Sequence, residues 1–142
     1  MRKVDVGCGC CCKPGYIGVD IKACGQQYVR DIQQGLPFDD NSVDEIFCQN
    51  VLEHISNLLF VMEEFYRVLK PCALLEIIVP HYTSPNAWKD PTHIRSFNEF
   101  SMDYYIPGVI NVKAKEGKAL FQKQEQSFDN NNKAIHWKLL KI

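Results

Sequence analysis
The sequence predicts an α/β fold: a largely parallel sheet, an antiparallel pair of strands at one edge, and a reduced complement of helices. Three observations carry this. Short apolar runs end in Gly-rich or acidic turns, beginning with Val4 and Val6 running into Gly7-Cys8-Gly9. Apolar residues Leu58, Val61, Met62, Phe65, Val68 and Leu69 recur at three- and four-residue spacing, the period of a helix with one buried face. The run Leu74-Leu75-Glu76-Ile77-Ile78-Val79 reads as a strand buried on both faces, as in a sheet flanked by helices.

The elements follow in order. Val4 to Val6 form a first strand, residues 16–21 a second, 27–30 a short third and 43–48 a fourth. A loop, Gly35-Leu36-Pro37-Phe38-Asp39-Asp40-Asn41-Ser42, precedes the fourth. Ser56 is the expected cap of the helix, which runs to about Lys70 and is stopped by Pro71. The strand at 74–79 is closed by Pro80. A polar-aromatic loop spans about 81–96, and residues 98–105 read as a short helix ended by Pro107-Gly108. Residues 119–127 and 133–142 read as a hairpin around the turn signal Asp129-Asn130-Asn131-Asn132.

The chain has 142 residues, 46% of them hydrophobic, with a net charge of −1. These values fit one globular domain over residues 1–142. They exclude a disordered tail, a collagen-like repeat and a disulfide miniprotein. The longest apolar run is far short of the ~18 residues that span a bilayer, so no membrane role is expected. The start reaches Asp5 before any apolar run, so no signal peptide is expected and the localisation is expected to be cytoplasmic.

Charge is unevenly spread. Residues 1–112 hold 9 basic and 14 acidic side chains, whereas 113–142 hold 7 and 3. The basic end reads as solvated edge strands guarded by Lys rather than a nucleic-acid surface. Seven cysteines, four of them within Cys8-Gly9-Cys10-Cys11-Cys12, are an odd number in a chain expected to stay reduced. They read as small thiols filling a tight loop. A soft-metal thiolate site is the other reading of the cluster, and no metal site is assigned.

A strand ending in acid-x-Gly-x-Gly brings bare main chain close to a ligand, because Gly has no side chain in the way. A second strand ending in an acid offers a carboxylate to two ribose hydroxyls. Asp5-Val6-Gly7-Cys8-Gly9 and Asp20 supply both parts. Together they point to a nucleoside-containing ligand, with a tight turn and a solvated strand-end acid as the bland alternatives.

With further stretches the pattern becomes specific. These are Pro14-Gly15-Tyr16-Ile17-Gly18-Val19-Asp20; Asp31 with residues 35–44; Val51-Leu52-Glu53-His54-Ile55 with Tyr66-Arg67-Val68-Leu69-Lys70-Pro71; and Val79-Pro80-His81 with Asp90-Pro91-Thr92-His93. Over residues 4–97 the chain resembles a class I, Rossmann-like S-adenosylmethionine-dependent methyltransferase of the small type 11 branch. The resemblance implies a mostly parallel Rossmann-like methyltransferase sheet and S-adenosylmethionine as cofactor. It implies that Gly7, Cys8 and Gly9 wrap the methionine part and that Asp5 helps hold its amino group. Asp20 would take the ribose hydroxyls and Ile21 would lie against the adenine. Asp31 would accept from the adenine amino group with Ile32 beside it, and Gln49 and Asn50 would sit near the carboxylate and methyl. The bland reading of Asp31 is a turn cap.

Two departures stand out. Cys72-Ala73 occupy the place of two glycines, and a side chain forced to positive φ there costs on the order of 1 kcal/mol. Ten residues separate Gly9 from Asp20, whereas a helical crossover between parallel strands takes a dozen or more. The first crossover is therefore expected to be a loop, leaving a sheet face bare or covered by a second copy in a homodimer.

The expected activity is in-line methyl transfer to a small-molecule acceptor. His81, His93 and Asp90 are the candidate acceptor-side catalytic groups, since they follow strand ends where open α/β sheets bind ligands and imidazole titrates near neutrality. His54 is expected to be structural. The other reading is a methyltransferase-like module that binds the cofactor or a nucleotide without turnover.

Overall fold
In the computed structural model, residues 1–109, 119–129 and 131–142 are described. One seven-stranded sheet organises them: β1 (Lys3–Val6), β2 (Ile17–Asp20), β3 (Tyr28–Val29), β4 (Val43–Gln49), β5 (Leu69–Pro80), β6 (Phe121–Phe128) and β7 (Ala134–Lys141). Their order across the sheet is β3-β2-β1-β4-β5-β7-β6. The first five run parallel, and β7 and β6 pair antiparallel at the edge, as expected for a Rossmann-like methyltransferase sheet. The reversal of strand order after β3 puts the tips of β1 and β4 side by side, the switch point where open sheets bind ligands.

Two adjacent rows across the sheet show how its faces differ. Val19, Val6, Cys48, Ile77 and Trp137 lie in register and are fully buried. The helix α1 (Leu58–Val68) adds Val61, Met62, Phe65 and Val68 to the same core. The next row, Asp5, Phe47, Glu76, Lys138 and Glu125, faces the other way. There Lys3 pairs with Glu45 at 2.6 Å, Lys13 with Glu76 at 3.4 Å, His136 with Glu76 at 2.8 Å and Lys138 with Glu125 at 2.7 Å.

This corrects the reading of 74–79 as buried on both faces. Leu75, Ile77 and Val79 are buried, whereas Leu74, Glu76 and Ile78 are only partly so. The cause is the short first crossover: from Gly7 to Tyr16 the chain makes turns and no helix. A second copy docking on this face would meet an ion-paired surface.

Local chemistry explains the other differences. Asn57, not Ser56, caps α1, its side chain accepting from the Phe60 N–H at 3.2 Å. Ser56 instead donates its hydroxyl to Gln33 Oε1 at 2.6 Å. Residues 98–105 form turns and a 3₁₀ helix at Asp103–Tyr105 rather than an α-helix. Asn98 and Ser101 divert the backbone: Asn98 N–H donates to Ser101 Oγ at 2.9 Å and Phe100 N–H to Asn98 Oδ1 at 3.0 Å. Strand β5 begins five residues earlier than expected, and Lys70 to Ala73 bulge from it between the pairs Val43↔Leu69 and Glu45↔Leu74. Cys72 sits in that bulge at φ 62°, the positive value foreseen at the missing glycines.

Cys10 and Cys24 are joined in a disulfide, which corrects the expectation that the clustered cysteines are all free. Of the basic end, residues 113–118 lie outside the described residues. Lys141 is buried and donates to Asn41 Oδ1 at 2.7 Å and Leu69 O at 2.8 Å, and Lys123 pairs with Asp103 at 2.6 Å. Among the described residues no helix is long and apolar enough to cross a membrane.

Candidate functional site
The tips of β1, β2 and β4 open into a cleft of about 720 Å³ lined by Gly7, Gly9, Asp20, Ile21, Asp31, Ile32, Asn50 and Val51, among others. This lies within the ~300–1,000 Å³ of small-molecule sites. A smaller cavity of about 400 Å³ shares Gly7 and Asn50 as walls and adds Asp5, Cys8 and Gln49. The residues expected to hold the cofactor therefore line two adjoining hollows.

The cleft is shaped by main chain. Gly7 (φ +71°) donates its N–H to Val19 O at 2.7 Å, which locks the β1 tip against β2. A Cβ at Gly7 would stand 2.1 Å from Val51 Cγ2. A Cβ at Gly9 (φ +55°) would meet nothing within 4 Å, so that stretch of backbone faces open space. Asn50, at φ 55°, turns the chain sharply after β4, and its N–H is held by Ile78 O at 2.9 Å.

Asp20 reaches back across the cleft floor. Its Oδ2 accepts from the Gly9 N–H at 2.8 Å and its Oδ1 from the Lys22 N–H at 2.8 Å. A carboxylate has about four acceptor sites, so two remain for a ligand diol. Asp31 caps the 3₁₀ helix Ile32–Gln34 through Oδ1, accepting from the Gln33 N–H at 2.9 Å. Exposed Ile21 and buried Ile32 give the cleft apolar wall. This donor set, a bare main-chain edge at Gly9, a diol-sized carboxylate and apolar wall, fits an adenosyl group.

Asp5 is buried, and its Oδ2 accepts from the Lys13 N–H at 2.7 Å. Burial raises its carboxyl above the ordinary range against the pull of that N–H. Burial, Cys12 and the nearby carboxylates push the Cys8 thiol up to about 11. Cys8 is therefore a neutral thiol at pH 7 and no nucleophile.

The three acceptor-side candidates separate. Asp90 lines the cleft and also a neighbouring cavity of about 430 Å³, where His93, Glu53, His54, Gln49 and Asn50 join it. His81 lines neither; its Nδ1 sits 2.5 Å from Thr83 Oγ1 and its Nε2 3.5 Å from Glu99. Sequence reasoning passed over Glu53 and Thr92. The signal lay in Leu52-Glu53-His54, where an acid sits inside an apolar stretch.

Residues 4–77, just over half of the chain, match a family model described as a methyltransferase domain. A comparison with curated protein sequences finds no match. Solved structures share the fold. A S-adenosylmethionine-dependent methyltransferase from Aquifex aeolicus is 18% identical with a TM-score of 0.70, over 100% of this chain and 82% of that one. One from Archaeoglobus fulgidus is 18% identical with a TM-score of 0.70, over 99% and 86%. A protein from Pyrococcus horikoshii OT3 is 14% identical with a TM-score of 0.72, over 99% and 82%.

Proposed function
Since the chain belongs to the methyltransferase-domain family, whose cofactor is S-adenosylmethionine, we propose that it methylates a small-molecule acceptor. The observation that carries this is the placement of Gly9 and Asp20 on one open cleft, 2.8 Å apart through a single hydrogen bond.

When bound, the cofactor supplies a methyl group on a sulfonium, already a good leaving group. The work left to the chain is positioning and exclusion of water. Asp20 holds the ribose hydroxyls, and the Gly7–Gly9 main chain with Asp5, Cys8, Gln49 and Asn50 holds the methionine end. Asp31, Ile21 and Ile32 hold the adenine. Asn50 borders all three hollows, so the acceptor enters from the cavity of Asp90 and His93. Asp90 and His93 line that entry, and His81 orients the loop that follows β5.

A second reading is a module that binds the cofactor without turnover. It is favoured by the helix-free crossover between Gly7 and Tyr16. Calorimetry with S-adenosylmethionine and S-adenosylhomocysteine tests the cofactor site, and the proposal expects both to bind. Transfer of a labelled methyl group to a metabolite extract then separates the readings. Label in a product supports the enzyme; binding without label supports the module; binding of neither removes both.

A further inference from the structure
A group of metal-ligating side chains lies beside the cleft and is not used by the cofactor. Glu53 sits in the 3₁₀ helix Leu52–His54 and is 2% exposed. Neither of its carboxylate oxygens has a hydrogen-bond partner. Burying a carboxylate in this way is costly unless a cation or donor answers it. The groups that face it are imidazoles: His93 Nε2 is 3.9 Å from Glu53 Oε1, and 3.8 Å from Asp90 Oδ2. Glu53, His54 and His93 each place one ligand atom within 4.8 Å of the others. Among the described residues this is the set of three that converges, and the cysteines do not.

The hydrogen bonds fix which ring nitrogens are free. His93 Nδ1 lies 3.0 Å from Ala87 O, a carbonyl that only accepts. Nδ1 therefore carries a proton, and Nε2 is the nitrogen turned toward the two carboxylates. Thr92 Oγ1 donates its one proton to Asp90 Oδ1 at 2.6 Å, so it accepts from His54 Nδ1 at 2.9 Å. His54 Nε2 is then the ring nitrogen left to face a metal. An imidazole whose far N–H is tied to an oxygen is the usual outer-shell arrangement of a metal-binding histidine. The Thr92 N–H also donates to Asp90 Oδ1, at 2.8 Å, which leaves Asp90 Oδ2 turned toward His93.

We propose that Glu53, His54 and His93 bind one divalent transition-metal cation, with Asp90 as the fourth ligand. Two imidazoles with carboxylates suit Zn²⁺, Co²⁺ or Fe²⁺ rather than Ca²⁺ or Mg²⁺. A tetrahedral site with bonds of ~2.0–2.1 Å sets ligand atoms about 3.3 Å apart. Binding therefore draws Glu53, His54 and His93 together by up to about an ångström and a half, and Asp90, outside that trio, has further to travel. Lys89 and Lys133 line the same cavity, so the two carboxylates must outweigh their charge for a cation to bind there. His54 and Asp90 border both the cleft and the acceptor cavity, so the cation stands between cofactor and acceptor. The site is read by metal binding itself and stands or falls apart from methyl transfer.

The test is titration of the chelator-stripped full chain with Co²⁺, followed by its ligand-field absorption, with Zn²⁺ as competitor. One Co²⁺ per chain is expected, displaced by Zn²⁺. Glu53→Gln and His93→Gln are each expected to weaken binding by more than the ~10–100-fold that loss of an outer-shell partner costs, and Asp90→Asn to weaken it less than either. Melting followed by circular dichroism confirms that each variant is folded. A triple Cys8→Ser, Cys11→Ser, Cys12→Ser variant is expected to keep the same spectrum. Failure of the wild-type chain to take up Co²⁺ overturns the proposal, as does uptake unchanged in folded Glu53→Gln or His93→Gln. A thiolate charge-transfer band that vanishes in the triple variant also overturns it, by moving the metal to the cysteines.

Discussion

Replacing Gly7 or Gly9 by Ala separates the structural demand at the β1 tip from the demand of a ligand. Both residues sit at positive φ, +71° and +55°, where a side chain costs about 1–2 kcal/mol. For Gly9→Ala the backbone strain is the whole cost, because the new methyl meets no protein atom within 4 Å. For Gly7→Ala the methyl lands 2.1 Å from Val51 Cγ2. Val is stiff at χ1 and cannot swing clear, so overpacking adds about 1–3 kcal/mol. For a chain of this length 1 kcal/mol moves Tm by about 3 °C. Gly9→Ala should thus melt ~3–6 °C below the wild type and Gly7→Ala ~6–15 °C below it. The two should then part company in the opposite sense from their stability cost. Folded Gly9→Ala should lose S-adenosylhomocysteine affinity at least tenfold in calorimetry, because its methyl occupies the space the ligand crosses. Retention of full affinity by Gly9→Ala would refute the placement of the ligand over that stretch of main chain.

Three further substitutions test other joints. Asp20→Asn removes the charge and one of two carboxylate oxygens, each of which accepts from a different backbone N–H; cofactor affinity should fall about 10–100-fold, the value of a charge-assisted bond, and unchanged affinity in calorimetry would count against the ribose role. Arg67 hydrogen bonds hold the Glu64 carboxyl below the ordinary carboxylate range, with the Leu36 N–H adding to the pull. A lowered folded-state value gives stability that is complete above about 4.5 and is lost as pH falls below it. Glu64→Gln should therefore cost about 1–2 kcal/mol at pH 7, and its Tm gap to the wild type should close on acidification; a gap independent of pH would contradict the ion pair. Cys72→Gly relieves positive φ at an exposed bulge and should raise stability by about 0.5–1 kcal/mol after the entropy cost of Gly, visible as a Tm increase in a thermal melt.

The parts of the fold legible in the sequence are those set by neighbouring residues. The strand tips at Gly7 and Asp20 follow from local motifs, and so does the 3.6-residue face of α1. Asp31 caps a turn, as its bland reading has it, and its place on the cleft wall leaves the adenine reading open to test. What the sequence did not reveal depends on distant chain. Leu74 to Val79 look buried on both faces because five of six side chains are apolar, yet burial of the second face needs a covering helix. Glu76 was the sign that this face meets water. Glu53 looks like a solvent-facing acid until residues 90–94 fold over it, with the Ile94 N–H bonded to Glu53 O at 2.9 Å. The Cys10–Cys24 bond joins two loops whose approach is set by β1 and β2 lying side by side.

The turn-only path from Gly7 to Tyr16 has an electrostatic consequence. Where a helix starts beside such a strand tip, its aligned peptide dipoles present roughly half a positive charge to an incoming anion. Here that fixed partial charge is missing, and a full cation lining the same hollow as Asp5 and Gly7 is Lys13, already paired with Glu76 at 3.4 Å. A carboxylate bound there is answered by a long, hydrated side chain rather than by rigid backbone. Its grip should loosen as added salt shortens the reach of that charge.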